Sequence, residues 1–330
     1  MKHPRRRFLR LAAGTAAAVL AAPVARAQAY PARPITLVVP FPPGGATDVA
    51  ARIVADHMSR TLGQQLTVQN ISGAGGTTGS TRAMRAAPDG YTILMGQMGT
   101  HAASVALYPN LAYRPDVDFE PIGMVTAFPL IIAAKKDFPA RDLKEFVAHV
   151  KANVGTLNQA HAGVGSIFFT SCLLLNSILG TKPTLVPFNG GAPAMNALVA
   201  GQTDFMCADI VVGNPQLETG NIKIYALAAP TRNQVMPNVP TTVEAGLPEF
   251  QVSAWNGFFA PKGTPKPVVD KLADALDKAL DDETTRKRLQ VLGVDIPDKA
   301  KRGPAPFLAL VKSEIDRWSP IIKAAGVQMN

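Results

Sequence analysis

Apolar and polar positions change period again and again along this chain, and each change marks an element. Residues 35–39 form an aliphatic and β-branched run closed by Pro40, and residues 46–62 then carry Val49, Ala50, Ile53, Val54 and Met58 at helical spacing. Residues 66–69 predict a second strand, residues 77–87 a helix stopped by Pro88-Asp89-Gly90, and residues 91–95 a third strand. Strands that alternate with helices predict a mostly parallel sheet with helices on its faces. The pattern repeats beyond residue 128, with strands at 130–134, 157–160, 184–187, 204–207 and 222–228 and helices at 143–152, 166–179 and 192–200. That is a second α/β domain.

The segment after Ala229 is rich in breakers (Pro230, Pro237, Pro240, Gly246 and Pro248), residues 252–259 read as one more strand, and the remainder is helical. Helices are predicted at 265–280 and at 305–325, the second interrupted near Pro320. Two helices without strands cannot make a third domain, and 330 residues at about 150 per domain suggest two. The economical arrangement returns the chain to its first domain near residue 250. Lobe 1 is then discontinuous, residues 28–127 with 251–330, and lobe 2 is the insertion 128–250. Two α/β lobes joined by two crossing strands, near 127–130 and 250–256, leave a cleft that hinge motion closes.

Composition narrows the function classes. With 47% hydrophobic and 17% charged residues the chain can bury globular cores, which excludes a disordered or collagen-like polymer. The net charge of +9 is misleading, because Lys2, Arg5, Arg6, Arg7, Arg10 and Arg26 lie in the first 27 residues, which hold no acid. Setting these six aside leaves +3, which calls for no nucleic acid or other polyanion. The same 27 residues read as an export signal: a basic start, an apolar stretch at 11–22 too short to span a bilayer, and the small-x-small site Ala25-Arg26-Ala27. Arg5-Arg6-Arg7-Phe8-Leu9 also fits a twin-arginine signal, so both export routes stay open. No later apolar run reaches about 18 uninterrupted residues, so the mature chain is expected to be soluble and periplasmic after cleavage near Ala27.

Cys172 and Cys207, the two cysteines, make no scaffold, and buried free thiols are the favoured reading over a disulfide. The histidines lie singly, with no zinc-ligand spacing, and neither a metal nor a cofactor is expected.

Glycine-rich loops at helix starts carry the chemical signal. Phe41-Pro42-Pro43-Gly44-Gly45-Ala46-Thr47-Asp48 lies between the first strand and its helix, where backbone N–H groups are unpaired and the helix end is positive. Such an end is an anion cradle. Ser72-Gly73-Ala74-Gly75-Gly76-Thr77-Thr78-Gly79 repeats the arrangement after the second strand, and Gly163-Val164-Gly165-Ser166 and Phe188-Asn189-Gly190-Gly191 do so in the second lobe. A two-ended anion held between four helix N-termini is what this geometry selects. Each loop alone is equally a structural turn needing positive φ. Asp48 has two readings, an acid in the first helical turn or a ligand acceptor, and Asp209 is a better acceptor that could equally cap the helix after it. His101, beside Gly99-Thr100, is a ligand donor or a solvated loop residue; Phe41 and Phe188 are cleft walls or core.

The chain also resembles a known family. Tyr30-Pro31-x-Arg33-Pro34-Ile35, the loop from Pro40 to Asp48, Asn70 with Gly73-Ala74-Gly75-Gly76, Pro88-Asp89-Gly90-Tyr91-Thr92 and Pro187-Phe188-Asn189-Gly190-Gly191-Ala192-Pro193-Ala194 resemble the Bug family. So do Pro237-x-Val239-Pro240-Thr241-x-x-Glu244-Ala245-Gly246, Trp255-x-Gly257 and Ala260-Pro261-x-Gly263-Thr264-Pro265, and together these motifs cover residues 30–330. Bug proteins are periplasmic solute-binding receptors of tripartite tricarboxylate transporters. The resemblance implies an α/β, two-lobed periplasmic binding protein (type II, Venus-flytrap) with two hinge strands, no catalytic residues, and a small carboxylate held largely by backbone amides and water. It implies a membrane permease as partner, and a monomer is expected. It places Phe41, Gly44, Gly45, Ala46 and Asp48 in one binding loop and Ala74, Gly75, Gly76 and Thr77 in a second, with Gly163, Gly165, Ser166, Phe188, Asn189 and Gly190 facing them; Thr100, His101 and Asp209 complete the candidate set.

Two departures bear on the ligand. Asn70-Ile71-Ser72-Gly73 stands where the family commonly has Asn-Arg/Lys-Pro-Gly, and Pro187-Phe188-Asn189 where Pro-Tyr-Lys/Arg is usual. Both remove a cation, which points away from citrate and toward a dicarboxylate or a flatter aromatic acid. Two alternatives remain: a ligand sensor docking on a membrane signalling partner, and an exported cofactor-dependent enzyme. The second rests on Gly73-x-Gly75 with Gly79, but Thr78 and the acid-free segment 95–101 break the dinucleotide fingerprint.

Overall fold

Three short strands, each followed by a glycine-bearing turn, open the fold seen in the computed structural model, which describes residues 30–327. The expected signal segment lies outside the described residues. The strands are β1 (Ile35–Val39), β2 (Leu66–Asn70) and β3 (Thr92–Gln97), with β1 parallel to both others. Helix α1 (Ala46–Leu62) follows β1 and buries Ala50, Ile53, Val54 and Met58 of the face read from its periodicity, with Val49 only half-buried. Helix α2 (Thr77–Met84) follows β2 and ends earlier than expected, and a π turn at Gly99–Ala103 runs into the short α3 (Ser104–Leu107) after β3.

The second half repeats the scheme. It contains α4 (Leu143–Ala152), β5 (Asn158–His161), α5 (Ile167–Leu179), β6 (Thr184–Pro187), α6 (Gly191–Val199), β7 (Phe205–Asp209), α7 (Ile210–Glu218) and β8 (Ile222–Leu227). Strand β5 is parallel to β6 and β7.

What joins the halves is β4 (Phe119–Lys135), only the last part of which was expected. Its first eleven residues pair antiparallel with β9 (Ser253–Pro261), and from Leu130 its partners are β7 and β8. The sheet order is β2-β1-β3-β9-β4-β7-β5-β6, with β8 on β4. Pro121, Gly123 and Pro129 hid the front of this strand from a propensity reading, since such residues usually end strands. The structure absorbs them through register shifts at Pro121/Gly123 and Met124/Thr126.

Beyond β9, which pairs with β3 as well as β4, the chain continues through α8 (Lys266–Asp281), α9 (Glu283–Val291) and α10 (Pro304–Ala324). Helix α7 was expected only as the helix that Asp209 could cap, without bounds, because Gly213 and Pro215 interrupt its pattern, and α9 was not foreseen because Glu283-Thr284-Thr285-Arg286-Lys287-Arg288 is wholly polar. The break expected near Pro320 does not occur. Fully buried Trp318 and Ile322 hold α10 against the core on either side of the proline, and the Trp318 Nε1–H donates to Glu314 Oε2 at 3.0 Å. Cys172 and Cys207 are free and buried.

One strand residue shows how tightly the first half is packed. Phe307 of α10 is fully buried against Trp255 and Phe259 of β9, and a Cβ at Gly257 would lie 1.9 Å from its Cζ. Glycine at 257 is therefore the condition for α10 to seat on the sheet. We expect Gly257→Ala to lower unfolding free energy by roughly 1–3 kcal/mol, the usual cost of overpacking. Urea unfolding midpoints of the two proteins measure this, and equal midpoints would contradict the packing account.

Candidate ligand-binding site

Four helices of the described residues begin around one partly open cavity of about 170 Å³. Gly45, Ala46 and Thr47 from the start of α1 and Gln97 from the end of β3 line it from one half. Ser166, Ile167 and Phe168 at the start of α5, Gly190, Gly191 and Ala192 at the start of α6, and Asp209 with Val212 at α7 line it from the other. Phe41, Phe128 and Phe168 give it apolar walls. At about 30 Å³ per molecule the volume equals some five or six waters, enough for a small organic acid.

The helix ends differ in what they leave free. In α5 the Ser166 hydroxyl caps the Phe169 N–H at 3.2 Å, and in α7 the Asp209 carboxylate caps the Val212 N–H at 2.9 Å. Helices α1 and α6 have glycine at the cap, Gly45 and Gly190, and no side-chain cap. Their first N–H groups have no intrahelical acceptor, which is the arrangement that suits an anion. One such end belongs to each half of the sheet.

No Lys, Arg or His lines this cavity, and Asp209 is its one titratable side chain among the described residues. Burial pushes the Asp209 carboxyl up to about 6, against the opposing pull of the Val212 and Val211 N–H groups. Gln97 is 4% exposed, its backbone N–H and C=O are engaged by the Thr100 hydroxyl at 3.1 Å, and its side-chain amide has no partner among the described residues.

A second cleft, about 490 Å³, adjoins the first across Phe41, Asn189 and Gly190 and is lined by residues 72–76, Tyr108 and residues 162–164 and 187–190. Here the halves touch through backbone. A Cβ on Gly75 would lie 2.1 Å from the Val164 carbonyl oxygen and 2.9 Å from Gly165 Cα, so only glycine permits the approach. The Tyr108 hydroxyl sits within hydrogen-bond reach of the Ala74 and Val164 carbonyls, at 3.0 and 3.3 Å.

The first loop is braced from behind. Asp48, 2% exposed, accepts from the Gly44 N–H at 2.9 Å, the Arg52 Nε–H at 3.0 Å and the Asn70 amide at 2.9 Å. Asn70 also donates to the Phe41 carbonyl at 3.0 Å and accepts from Arg52 at 2.9 Å. Burial alone would raise the Asp48 carboxyl, but Arg52, the Gly44 N–H and Asn70 together outweigh it and hold it below its ordinary value.

With this geometry the comparisons with known proteins agree. Residues 50–327 match the family model described as "Tripartite tricarboxylate transporter family receptor". The chain belongs to that family. Among solved structures it is similar to MatC from Rhodopseudomonas palustris with bound malate, at 50% identity over 89% of this chain and 100% of that one, TM-score 0.85. It is similar to the periplasmic binding protein BugD, at 40% identity over 91% of this chain and 100% of that one, TM-score 0.85. It is also similar to R. palustris Rpa4515 with adipate, at 28% identity over 91% and 100%, TM-score 0.85. The fold is therefore the α/β periplasmic-binding-protein fold, and the family is one of receptors rather than enzymes.

Within this tripartite tricarboxylate transporter receptor, the residues singled out from sequence divide. Phe41, Gly45, Ala46, Ser166, Asn189, Gly190 and Asp209 line the first cavity. Ala74, Gly75, Gly76, Gly163 and Phe188 line the adjoining cleft instead. Asp48 and Gly44 lie in the brace and line neither cavity, the Asp48 carboxylate accepting from Gly44 and Arg52. Thr77 donates to the Ala74 carbonyl at 2.8 Å and borders an outer surface pocket, and Gly165 packs on Gly75. His101 and Thr100 line neither cavity: both are fully buried, the ring stacks on Phe259 at 4.1 Å, Nδ1 lies 2.8 Å from the Thr100 hydroxyl, and burial drives the imidazole down to about 3. They anchor the π turn in the core. Sequence reasoning missed Gln97, although its place at the carboxyl end of a parallel strand was the available signal. It missed Arg52 too, because a surface cation one turn beyond Asp48 reads as an ordinary i,i+4 pair.

The brace makes a pH-dependent prediction. A lowered carboxyl contributes stability above its unfolded value, near 4, and loses it as pH falls through the folded value. Asp48→Asn should therefore cost roughly 1–3 kcal/mol at neutral pH, with the difference shrinking below about pH 4. Urea unfolding of both proteins across that range is the measurement, and a gap independent of pH would refute the assignment.

Proposed function

We propose that this chain is an extracytoplasmic receptor that closes its two lobes around a small dicarboxylate and presents the closed form to the membrane permease of a tripartite tricarboxylate transporter. The observation that carries the reading is the pair of glycine-capped helix ends, at Gly45 and Gly190, contributed to one cavity by opposite halves of the sheet. An anion with two acidic ends engages both, and the bound state then requires both halves at once. Malate in MatC and adipate in Rpa4515, each a dicarboxylate, support that class. The apolar Phe41, Phe128 and Phe168 rings favour an aromatic acid as the second reading.

Rotation would concentrate where β4 exchanges β9 for β7 and β8, between Pro129 and Leu130, and where the chain enters β9 at Ser253. In this proposal residues 28–127 and 251–330 form one lobe and 128–250 the other, and a periplasmic mature chain begins near Gln28. The receptor acts as a monomer in this scheme.

The test is a thermal-shift panel on the ligand-free mature chain with di- and tricarboxylates and aromatic acids. A cognate ligand at about 100 times its Kd adds roughly 2.7 kcal/mol of stability, a clear shift. Gly45 suits a companion variant, since its backbone is extended and a Cβ there meets nothing within 4 Å. Gly45→Ala should fold normally and bind about tenfold more weakly, because the methyl enters the space the anion needs. Gly76→Ala is a poor probe, as its Cβ would strike Thr100 and Phe41 at 2.6 and 2.9 Å. No shift from any dicarboxylate would remove this reading.

A further inference from the structure

An anion site with a carboxylate in its wall poses a problem of sign. Asp209 lies at the end of β7, is 4% exposed, and lines the cavity that the proposed ligand fills. Its charge meets only the N–H groups of α7, and no cation stands beside it in the cavity. One oxygen caps Val212 at 2.9 Å. An ionised carboxylate accepts about four hydrogen bonds, so the Val212 and Val211 N–H groups leave about half of its acceptor capacity unused.

A plain dicarboxylate offers Asp209 nothing but like charge. A ligand with a hydroxyl or ammonium group next to its acid offers a donor, and the contact becomes a charge-assisted hydrogen bond. Gln97, from the opposite half, brings an uncommitted amide that can donate to the ligand carboxylate. The cavity thus presents a donor to the acid end and an acceptor to the group beside it.

Resting on the receptor reading above, we propose that Asp209 is a specificity-determining residue of this site, selecting carboxylates that carry a hydroxyl or ammonium donor over their plain analogues. A site that pairs a buried acceptor with a ligand donor rejects the analogue lacking it, because the acceptor is then left unpaired. Capping alone would predict no such selection. Aspartate and asparagine cap equally well, and serine nearly so.

The experiment is titration calorimetry of ligand-stripped protein at neutral pH with L-malate, L-aspartate and succinate. Wild type should bind malate or aspartate at least about tenfold more tightly than succinate. Asp209→Asn keeps the cap, removes the charge and turns a donor into the cavity, so the preference should fall to about threefold or less with the ligand-free melting temperature unchanged. Asp209→Ser, which keeps a capping oxygen without charge, gives the same reading should the first variant fold poorly. Succinate bound as tightly as malate and aspartate by wild type, or a preference retained in both variants, overturns the inference and leaves the receptor reading standing. Failure of wild type to bind any of the three overturns both.

Discussion

An unpaired backbone N–H at a helix start must find an acceptor or remain in water, and this fold assembles four helix starts around one cavity. In two of them Ser166 and Asp209 each cap an N–H, and the two that start at glycine have no side-chain cap. The remaining architecture follows from that imbalance. Strands end at the cavity because each helix start follows a strand end, and both halves take part because one uncapped helix belongs to each.

Backbone donors bind well only when they are held still, and the molecule invests its ion pairing behind the loop instead of in the pocket. Arg52, Asp48 and Asn70 tie the Gly44 N–H and the Phe41 carbonyl together, leaving the N–H groups of α1 as the polar surface turned to the cavity. Across the adjoining cleft, Gly75 and Gly165 allow backbone to meet backbone, with the Tyr108 hydroxyl reaching toward a carbonyl on each side. The arrangement separates charge, which sets loop shape, from donors, which meet the ligand.

Much of the architecture was legible because it is local. The period change between β1 and α1 is set by which residues alternate, and the burial of Ile53, Val54 and Met58 follows from spacing alone. The failures share one physical form. In β4, α7 and α10 a proline or glycine that propensity counts as a breaker is carried by tertiary packing: register shifts take up Pro121 and Gly123, Ile131 fills the space above Gly213, and Trp318 anchors the helix across Pro320. In α9, a polar helix shows no periodicity to read.

The alternation of strands and helices and the glycine loops at helix starts could be read directly from the chain, since each depends on neighbours in sequence. Tertiary structure decided which of those loops share a cavity. It grouped Gly45 and Gly190 with Asp209 and Gln97, set the loop at 72–76 in the adjoining cleft, and left His101 and Asp48 outside the lining of both. The physical reason is that convergence depends on strand order and on where β4 changes partners, and both are fixed by pairings between residues far apart in sequence.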